Sequence, residues 1–326
     1  VASTMNISDK EFMDGKSTFK GNGKGAITNE GKITTNVEGG YIALLAPEVR
    51  NQGYLLAKKG TVAMAAGEQI TLNFQNNALI SVKVDTSTYN ALIDNQRVVE
   101  VQGGLVVIAA GSANQLMASV IKNTGRISAS SMVSNGGVIE LVANTVTQAG
   151  KVLANGKGEN AQGGQINIVG NDITIAQNSK TEATGATGGG QVNIGLASTA
   201  VSGGSQVNAQ TPSAQTNDQA QATIKANAAN AKEQMARTVT VEQGALIDTS
   251  ATQSGNGGSI AIWSQIKTTV AGILKSTGGA LSGNGGFIET SSKGSVQISK
   301  GFEVDTTAPK GRTGNWLLDP DRKSVV

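Results

Sequence analysis

The sequence predicts an all-β fold, a right-handed parallel β-helix with short elements outside the coils and one long insertion. Three observations favour this fold class. The chain has 43 Gly among its 326 residues, about twice the usual share. Only 3% of its residues are aromatic. Glycines that precede alternating aliphatic residues recur along most of the chain, several of them 26 to 28 residues apart.

The first repeated motif is a Gly followed by aliphatic residues two and four positions later. Its copies begin at Gly40, Gly60, Gly104, Gly137, Gly164, Gly190 and Gly258, and an eighth, at Gly286, has Thr290 in the last position. Such alternation is typical of a short strand with one buried face. Gly137 and Gly164 are 27 residues apart, too few for two strands with a crossover helix. Each repeat therefore predicts one coil of a solenoid, and the coils must stack to bury their aliphatic residues in columns.

The second motif, a Gly with an aliphatic residue two positions later, alternates with the first. Its copies are at Gly31, Gly53, Gly125, Gly150, Gly244 and Gly272, and Asn precedes the first three by two residues. Because Asn and Gly tolerate positive φ, we expect sharp corners at these positions. An antiparallel sandwich or propeller is the alternative architecture, but it needs hairpin turns and more aromatic residues in each unit.

Interruptions of the repeat predict how the chain is organised. Residues 1–72 are expected to form a first β-helical part, 73–102 an apolar flap, 103–204 a shaft, 205–243 a low-complexity insertion, and 244–326 the C-terminal part of the shaft. Ser8 with Glu11, and Ser112 with Gln115, form capping boxes that predict two short helices outside the coils.

Composition excludes several classes of function. The chain has no His and no Cys, so it lacks the usual nucleophile pairs, zinc sites and thiol redox sites. The 26 basic and 23 acidic residues are mixed, which argues against a nucleic-acid partner. No apolar run approaches the ~20 residues that span a bilayer. We expect no enzyme activity, no metal and no cofactor.

A β-helical polysaccharide lyase or hydrolase is the enzyme alternative, because such enzymes place carboxylates together in an external groove. The carboxylates here are dispersed, as Glu140, Glu289 and Glu303 illustrate, while Asp319 and Asp321 flank a proline. Carboxylates brought together by the fold would support this alternative. Trp263 has an outward register, for which covering an exposed edge is a commoner role than binding a ligand.

Several ordered segments resemble the filamentous haemagglutinin-like exoproteins (TpsA) of bacterial two-partner secretion. They are residues 1–8 (VASTMNIS), 39–47 (GGYIALLAP), 51–53 (NQG), 62–67 (VAMAAG), 256–260 (NGGSI), 263–264 (WS), 285–291 (GGFIETS) and 316–320 (WLLDP). The resemblance implies a right-handed β-helix and export through the periplasm and an Omp85-type outer-membrane transporter. It also implies that residues 1–72 are the end of a secretion-domain-like β-helix. The secretion motif of the family is expected upstream of Val1, so no transporter-recognition residue is assigned from the resemblance.

This resemblance implies a secreted or surface-exposed adhesin, with the chain as a shaft in cell adhesion and a host-cell or bacterial surface receptor or glycan as partner. The shaft of a contact-dependent inhibition, haemolysin or haem-acquisition exoprotein is the alternative within the family. The insertion, which contains no Gly, adds a distinct shape to uniform coils. We therefore expect partner contacts at Lys225, Lys232, Glu233 and Arg237, although a tolerated loop is an alternative.

Overall fold

The chain folds as a parallel β-helix, and the predicted fold class is confirmed. The computed structural model describes residues 1–14, 17–21, 24–75, 78–85, 90–111, 119–132, 135–196 and 235–320. Within these ranges three long parallel sheets, A, C and D, run along the stack of coils, and a short antiparallel sheet, B, lies outside them.

Sheet A has ten strands in the described ranges, each supplied by a different coil. They are β1 (Ala2–Ser3), β5 (Tyr41–Leu45), β8 (Thr61–Ala66), β13 (Leu105–Ala110), β16 (Val138–Val142), β19 (Gln165–Val169), β22 (Gln191–Ile194), β25 (Ser259–Ser264), β28 (Phe287–Ser292) and β31 (Asn315–Pro320). The sheet A strands from β5 to β28 begin directly after the glycines of the first motif, and β31 begins directly after Gly314.

Sheets C and D have nine described strands each. Sheet C contains β3 (Ala26–Asn29), β6 (Glu48–Asn51), β11 (Ala91–Asn95), β14 (Ser119–Asn123), β17 (Thr145–Gln148), β20 (Asp172–Ile175), β23 (Thr238–Val241), β26 (Lys267–Val270) and β29 (Ser295–Ile298). Sheet D contains β4 (Lys32–Thr35), β7 (Tyr54–Ala57), β12 (Val98–Val101), β15 (Arg126–Ser128), β18 (Lys151–Leu153), β21 (Lys180–Glu182), β24 (Leu246–Asp248), β27 (Ile273–Lys275) and β30 (Glu303–Asp305).

Aliphatic columns fill the interior, as the alternating motifs predict. One column on sheet A, in strict register and at most 6% exposed, consists of Ile42, Val62, Val106, Ile139, Ile166, Val192, Ile260 and Ile288. The matching column on sheet D consists of Leu55, Val99, Ile127, Val152, Thr181, Ile247 and Leu274. Each coil contributes only a few side chains, so burial depends on its neighbours in the stack.

Glycines of the first motif form a column of their own because the coils approach closely there. A Cβ on Gly137 would overlap the carbonyl oxygen of Gly104, and a Cβ on Gly164 would overlap that of Gly137. The carbonyl oxygen of Gly104 accepts a hydrogen bond from the Val138 N–H at 3.0 Å, which fixes this spacing. Glycine is therefore required by contact between coils.

The corners of the second motif differ from the expectation. Described glycines with positive φ include Gly244, but Gly31, Gly53 and Gly125 are not among them. At Gly53 and Gly125 close packing between coils requires glycine instead, since a Cβ there would overlap the carbonyl oxygens of Gly31 and Arg97, whereas Gly31 has open space around it. The asparagines two residues earlier point inward and hydrogen-bond between coils.

This asparagine ladder crosses five coils at the end of sheet C. The side-chain Nδ2 of each member donates to the side-chain oxygen of the next, through Asn29, Asn51, Asn95, Asn123 and Gln148 in turn, at 2.6–2.8 Å. All five residues are at most 7% exposed. The ladder satisfies polar groups that would otherwise be costly to bury.

A short helix and sheet B lie outside the coils. Helix α1 (Asp9–Met13) begins where the capping box predicts, with the Ser8 Oγ accepting from the Glu11 N–H at 3.2 Å. Sheet B consists of β2 (Thr18–Lys20), β9 (Gln69–Gln75) and β10 (Ala78–Val84). The second predicted helix, which begins at Ser112, falls on residues 112–118, outside the described ranges.

Two expected boundaries differ in the structure. Among the described residues of 73–102, the end of β9 and β10 lie outside the coils, whereas β11 and β12 pair in register with β6 and β7 and belong to them. Within 205–243, β23 pairs with β20 and belongs to the coils. Residues 197–234 of the expected insertion are outside the described ranges.

Candidate functional site

Sheet B covers the outer face of sheet A over its first coils. Ile70, Leu72 and Leu79 pack against Ala63 and its neighbours on that face, and each is at most 3% exposed. The Thr61 hydroxyl donates to the Leu79 carbonyl at 2.7 Å and ties the hairpin to the coil beneath it. Sheet B is thus a fixed part of the N-terminal region.

Helix α1 presents an exposed apolar pair beside this region. Phe12 is 68% exposed and Met13 is 81% exposed, and the helix has no buried residue. The Lys20 Nζ lies 3.8 Å from a carboxylate oxygen of Glu11, which links the helix to β2. An apolar pair held outside the coils is available for contact with a partner.

Polar side chains form a column on the outer face of sheet A after the region that sheet B covers. Glu140, Asn167 and Asn193 occupy successive register positions. Burial raises the pKa of Glu140 to about 7. The sequence pattern identifies Glu140 as outward-facing, but it does not indicate that the residue is 93% buried.

The structure brings together one pair of carboxylates that the sequence analysis did not identify. Glu182 and Asp248 are register partners on the outer face of sheet D. Burial, and to a lesser extent the charge of Glu182, raise the pKa of Asp248, although hydrogen bonds from Ser250 oppose them. The Asn155 Nδ2 donates to Glu182 at 3.2 Å. The sequence did not indicate that these two residues are neighbours, because the insertion lies between them in the chain.

The arrangement does not assemble the carboxylates weighed for catalysis. Glu140 and Glu289 belong to β16 and β28, which are separated by three strands of sheet A, and Glu303 lies on sheet D. Asp319 is exposed, and Asp321 is outside the described residues. Within the described part of the chain, no group of three or more acidic side chains could hold a metal ion.

Of the four residues predicted for partner contact, the structure describes one, Arg237. Lys225, Lys232 and Glu233 lie outside the described residues. Arg237 is exposed at the start of the coil that contains β23, where its N–H donates to the Asn171 carbonyl at 2.6 Å. Trp263 packs against an outer apolar cluster that includes Phe287, which agrees with a covering role.

No helix in the described ranges has the length and apolar character needed to cross a membrane. This result concerns helices only.

Comparison with known proteins identifies the family. A family model described as the TPS secretion domain matches residues 1–154. The crystal structure of the HMW1 secretion domain from Haemophilus influenzae has the same fold, with a TM-score of 0.71 and 22% sequence identity; the match covers 98% of this chain and 73% of that one. No curated protein matches the chain.

The matched family is one of secretion domains and not of enzymes. TPS-domain proteins are secreted through the outer membrane, and their general partner is a TpsB outer-membrane transporter. Residues 1–72, expected from the resemblance to be the end of a secretion-domain-like β-helix, lie within the matched segment. Residues 1–154 match the TPS secretion domain, and this match, together with the shared fold, supports the assignment of the chain to the TpsA-type exoproteins of two-partner secretion.

Proposed function

We propose that the chain combines a secretion domain with the first coils of a shaft, and that the shaft belongs to a surface adhesin. The observation that carries this proposal is the uninterrupted register across residue 154. Strand β18, which ends at Leu153, pairs with β21, and β16 pairs with β19 in the same way. At ~4.8 Å per strand, ten strands of sheet A extend for about 45 Å.

A stack that keeps one register is suited to hold a contact region away from the cell surface. The insertion is the contact region in this proposal, because its sequence lacks the glycine motifs of the coils over residues 205–243. Leu196 and Met235, the described residues that flank 197–234, form an antiparallel bridge and are at most 4% exposed. This bridge allows the segment to be removed without opening the stack.

The adhesion test replaces residues 197–234 with a two-residue Asn-Gly turn, which suits an antiparallel junction. Beads coated with the parent chain are expected to adhere to host cells or partner bacteria, and beads with the shortened chain are expected to lose adhesion at equal coating density. An unchanged thermal midpoint confirms that the stack is intact. Equal adhesion of both beads would exclude the insertion as the contact region, and no adhesion by the parent would contradict the adhesin role.

We infer that helix α1 is part of the surface that the transporter contacts. Its exposed Phe12 and Met13 lie within the matched secretion domain. A Phe12→Ser, Met13→Ser double variant should be secreted at a reduced yield when the transporter is present. The matched control is Leu281→Ser, which changes a 74% exposed residue outside that domain. Secretion of the double variant at the parental yield would refute this assignment.

A further inference from the structure

An outward-facing carboxyl group is buried beside an amide that it could bind. Glu140 is 7% exposed and Asn167, its register partner on the next strand, is 0% exposed. Within the described part of the chain, neither Glu140 Oε1 nor Asn167 Nδ2 has a hydrogen-bond partner. Buried polar atoms normally have partners, so two complementary ones in adjacent coils require an explanation.

The amides on the far side of Asn167 already form a short outer ladder. Asn193 Nδ2 donates to Asn167 Oδ1 at 3.0 Å, and Gln165 Nε2 donates to the same oxygen at 3.2 Å. The Asn167 Oδ1 therefore already accepts two hydrogen bonds, and the Asn167 Nδ2 remains as a donor. A carboxylate oxygen on the preceding strand is the acceptor that would extend the ladder by one coil.

The surroundings of Glu140 are neutral. Val107 is its register partner on β13, and Asn167 faces it from β19. Val82 and Val84 of β10 pack against the apolar cluster that contains Val107, while Lys83 on the same strand pairs with Asp85 at 2.7 Å. Desolvation is the cause of its raised pKa, and no charged group contributes.

We propose that Glu140 and Asn167 form a proton-controlled hydrogen bond that makes the coils at the end of the secretion domain sensitive to pH. When Glu140 is protonated, the carboxyl is neutral and its burial costs little free energy of desolvation. When it is ionised, the buried charge depends on the Asn167 amide, and the coil is weakened. The pair thus responds to acidity within a fold that contains no histidine.

The sign of the effect follows from linkage. The pKa of Glu140 is raised from its ordinary 4.5 to about 7 in the folded chain, so the folded state holds the proton more tightly. Stability is therefore greatest well below pH 4.5, declines most steeply between 4.5 and 7, and levels off above 7. The unfolding equilibrium constant changes by nearly tenfold per pH unit in the middle of this window, and by about 300-fold between the low-pH and high-pH plateaus.

The test compares urea unfolding of the parent chain and Glu140→Gln from pH 4.5 to 8. The unfolding equilibrium constant of the parent, relative to that of the variant, should rise by about 80-fold between pH 4.5 and 7 and by about 140-fold between pH 4.5 and 8. Asp248, whose pKa is also raised, is common to both proteins, so the comparison removes its effect. Glu303→Gln, at an exposed position, is the control and should follow the parent. Identical pH profiles for the parent and Glu140→Gln would overturn the proposal.

A second measurement separates the hydrogen bond from burial alone. Carbon-detected NMR of the Glu140 carboxyl gives its titration midpoint directly. Asn167→Ala removes the donor that stabilises the ionised form, so the midpoint should rise above that of the parent. An unchanged midpoint would show that Asn167 does not control the proton and would overturn the proposal.

Discussion

The asparagine ladder makes a strong prediction about stability, and Asn95 is the position that tests it. Asn95 Oδ1 accepts from Asn51 Nδ2 at 2.8 Å, and Asn95 Nδ2 donates to Asn123 Oδ1 at 2.7 Å. The residue is 1% exposed, so water does not compete for these bonds. The variant Asn95→Ala removes both hydrogen bonds at the centre of the ladder.

The expected magnitude follows from what each partner loses. Two hydrogen bonds contribute about 1 kcal/mol each. Asn123 Oδ1 then remains buried without its donor, which costs a further ~1–3 kcal/mol. Asn51 Nδ2 retains the Val98 carbonyl at 3.2 Å, so it adds little. The free energy of unfolding should therefore fall by about 3–5 kcal/mol.

Urea denaturation followed by far-ultraviolet circular dichroism measures this change. The matched control is Asn315→Ala, at an exposed position on β31, and it should alter the free energy of unfolding by less than about 0.5 kcal/mol. A loss in Asn95→Ala no larger than that of the control would refute a stabilising role for the ladder.

Two further predictions concern matched pairs of residues inside the stack. Gly137→Ala should destabilise the fold by about 2 kcal/mol or more, because its Cβ would overlap a backbone oxygen of the adjacent coil. The control is Gly31→Ala, which should not destabilise the fold because the space around Gly31 is open. Equal thermal midpoints of the two variants would contradict the close approach of the coils at Gly137. Thr181→Val should stabilise the fold by about 1 kcal/mol, because the buried Thr181 hydroxyl has no partner in the described part of the chain. Thr268→Val should destabilise it, because this hydroxyl donates to the Ser291 carbonyl at 2.8 Å. Urea midpoints that shift in the same direction in both threonine variants would be inconsistent with this account.

The coils were predictable from the sequence because their determinants are local. A Gly such as Gly164 and its alternating aliphatic residues lie within five positions of one another, and repetition fixes their common environment. The capping box at Ser8 was predictable for the same reason. Corner glycines such as Gly53 were assigned the wrong backbone conformation, because contact between coils does not appear in a local pattern.

Features that depend on the neighbouring coil or on an outer layer were not predictable. The role of Asn95 in the ladder follows from its register with residues in other coils. The pairing of Glu182 with Asp248 requires the length of the intervening insertion to be known. The burial of Glu140 depends on what packs against the outside of sheet A, and the alternation of its strand indicates only which way it points.

Secretion provides the most direct test of the central claim that residues 1–154 are a working TPS secretion domain. The chain is expressed in a bacterial host behind a Sec signal peptide and an upstream segment that carries the secretion motif of the family, with and without a cognate TpsB transporter. The culture medium and cell surface are then assayed for it. We predict that the chain crosses the outer membrane only when the transporter is present. Equal export without the transporter, or retention in the periplasm with it, would contradict the assignment.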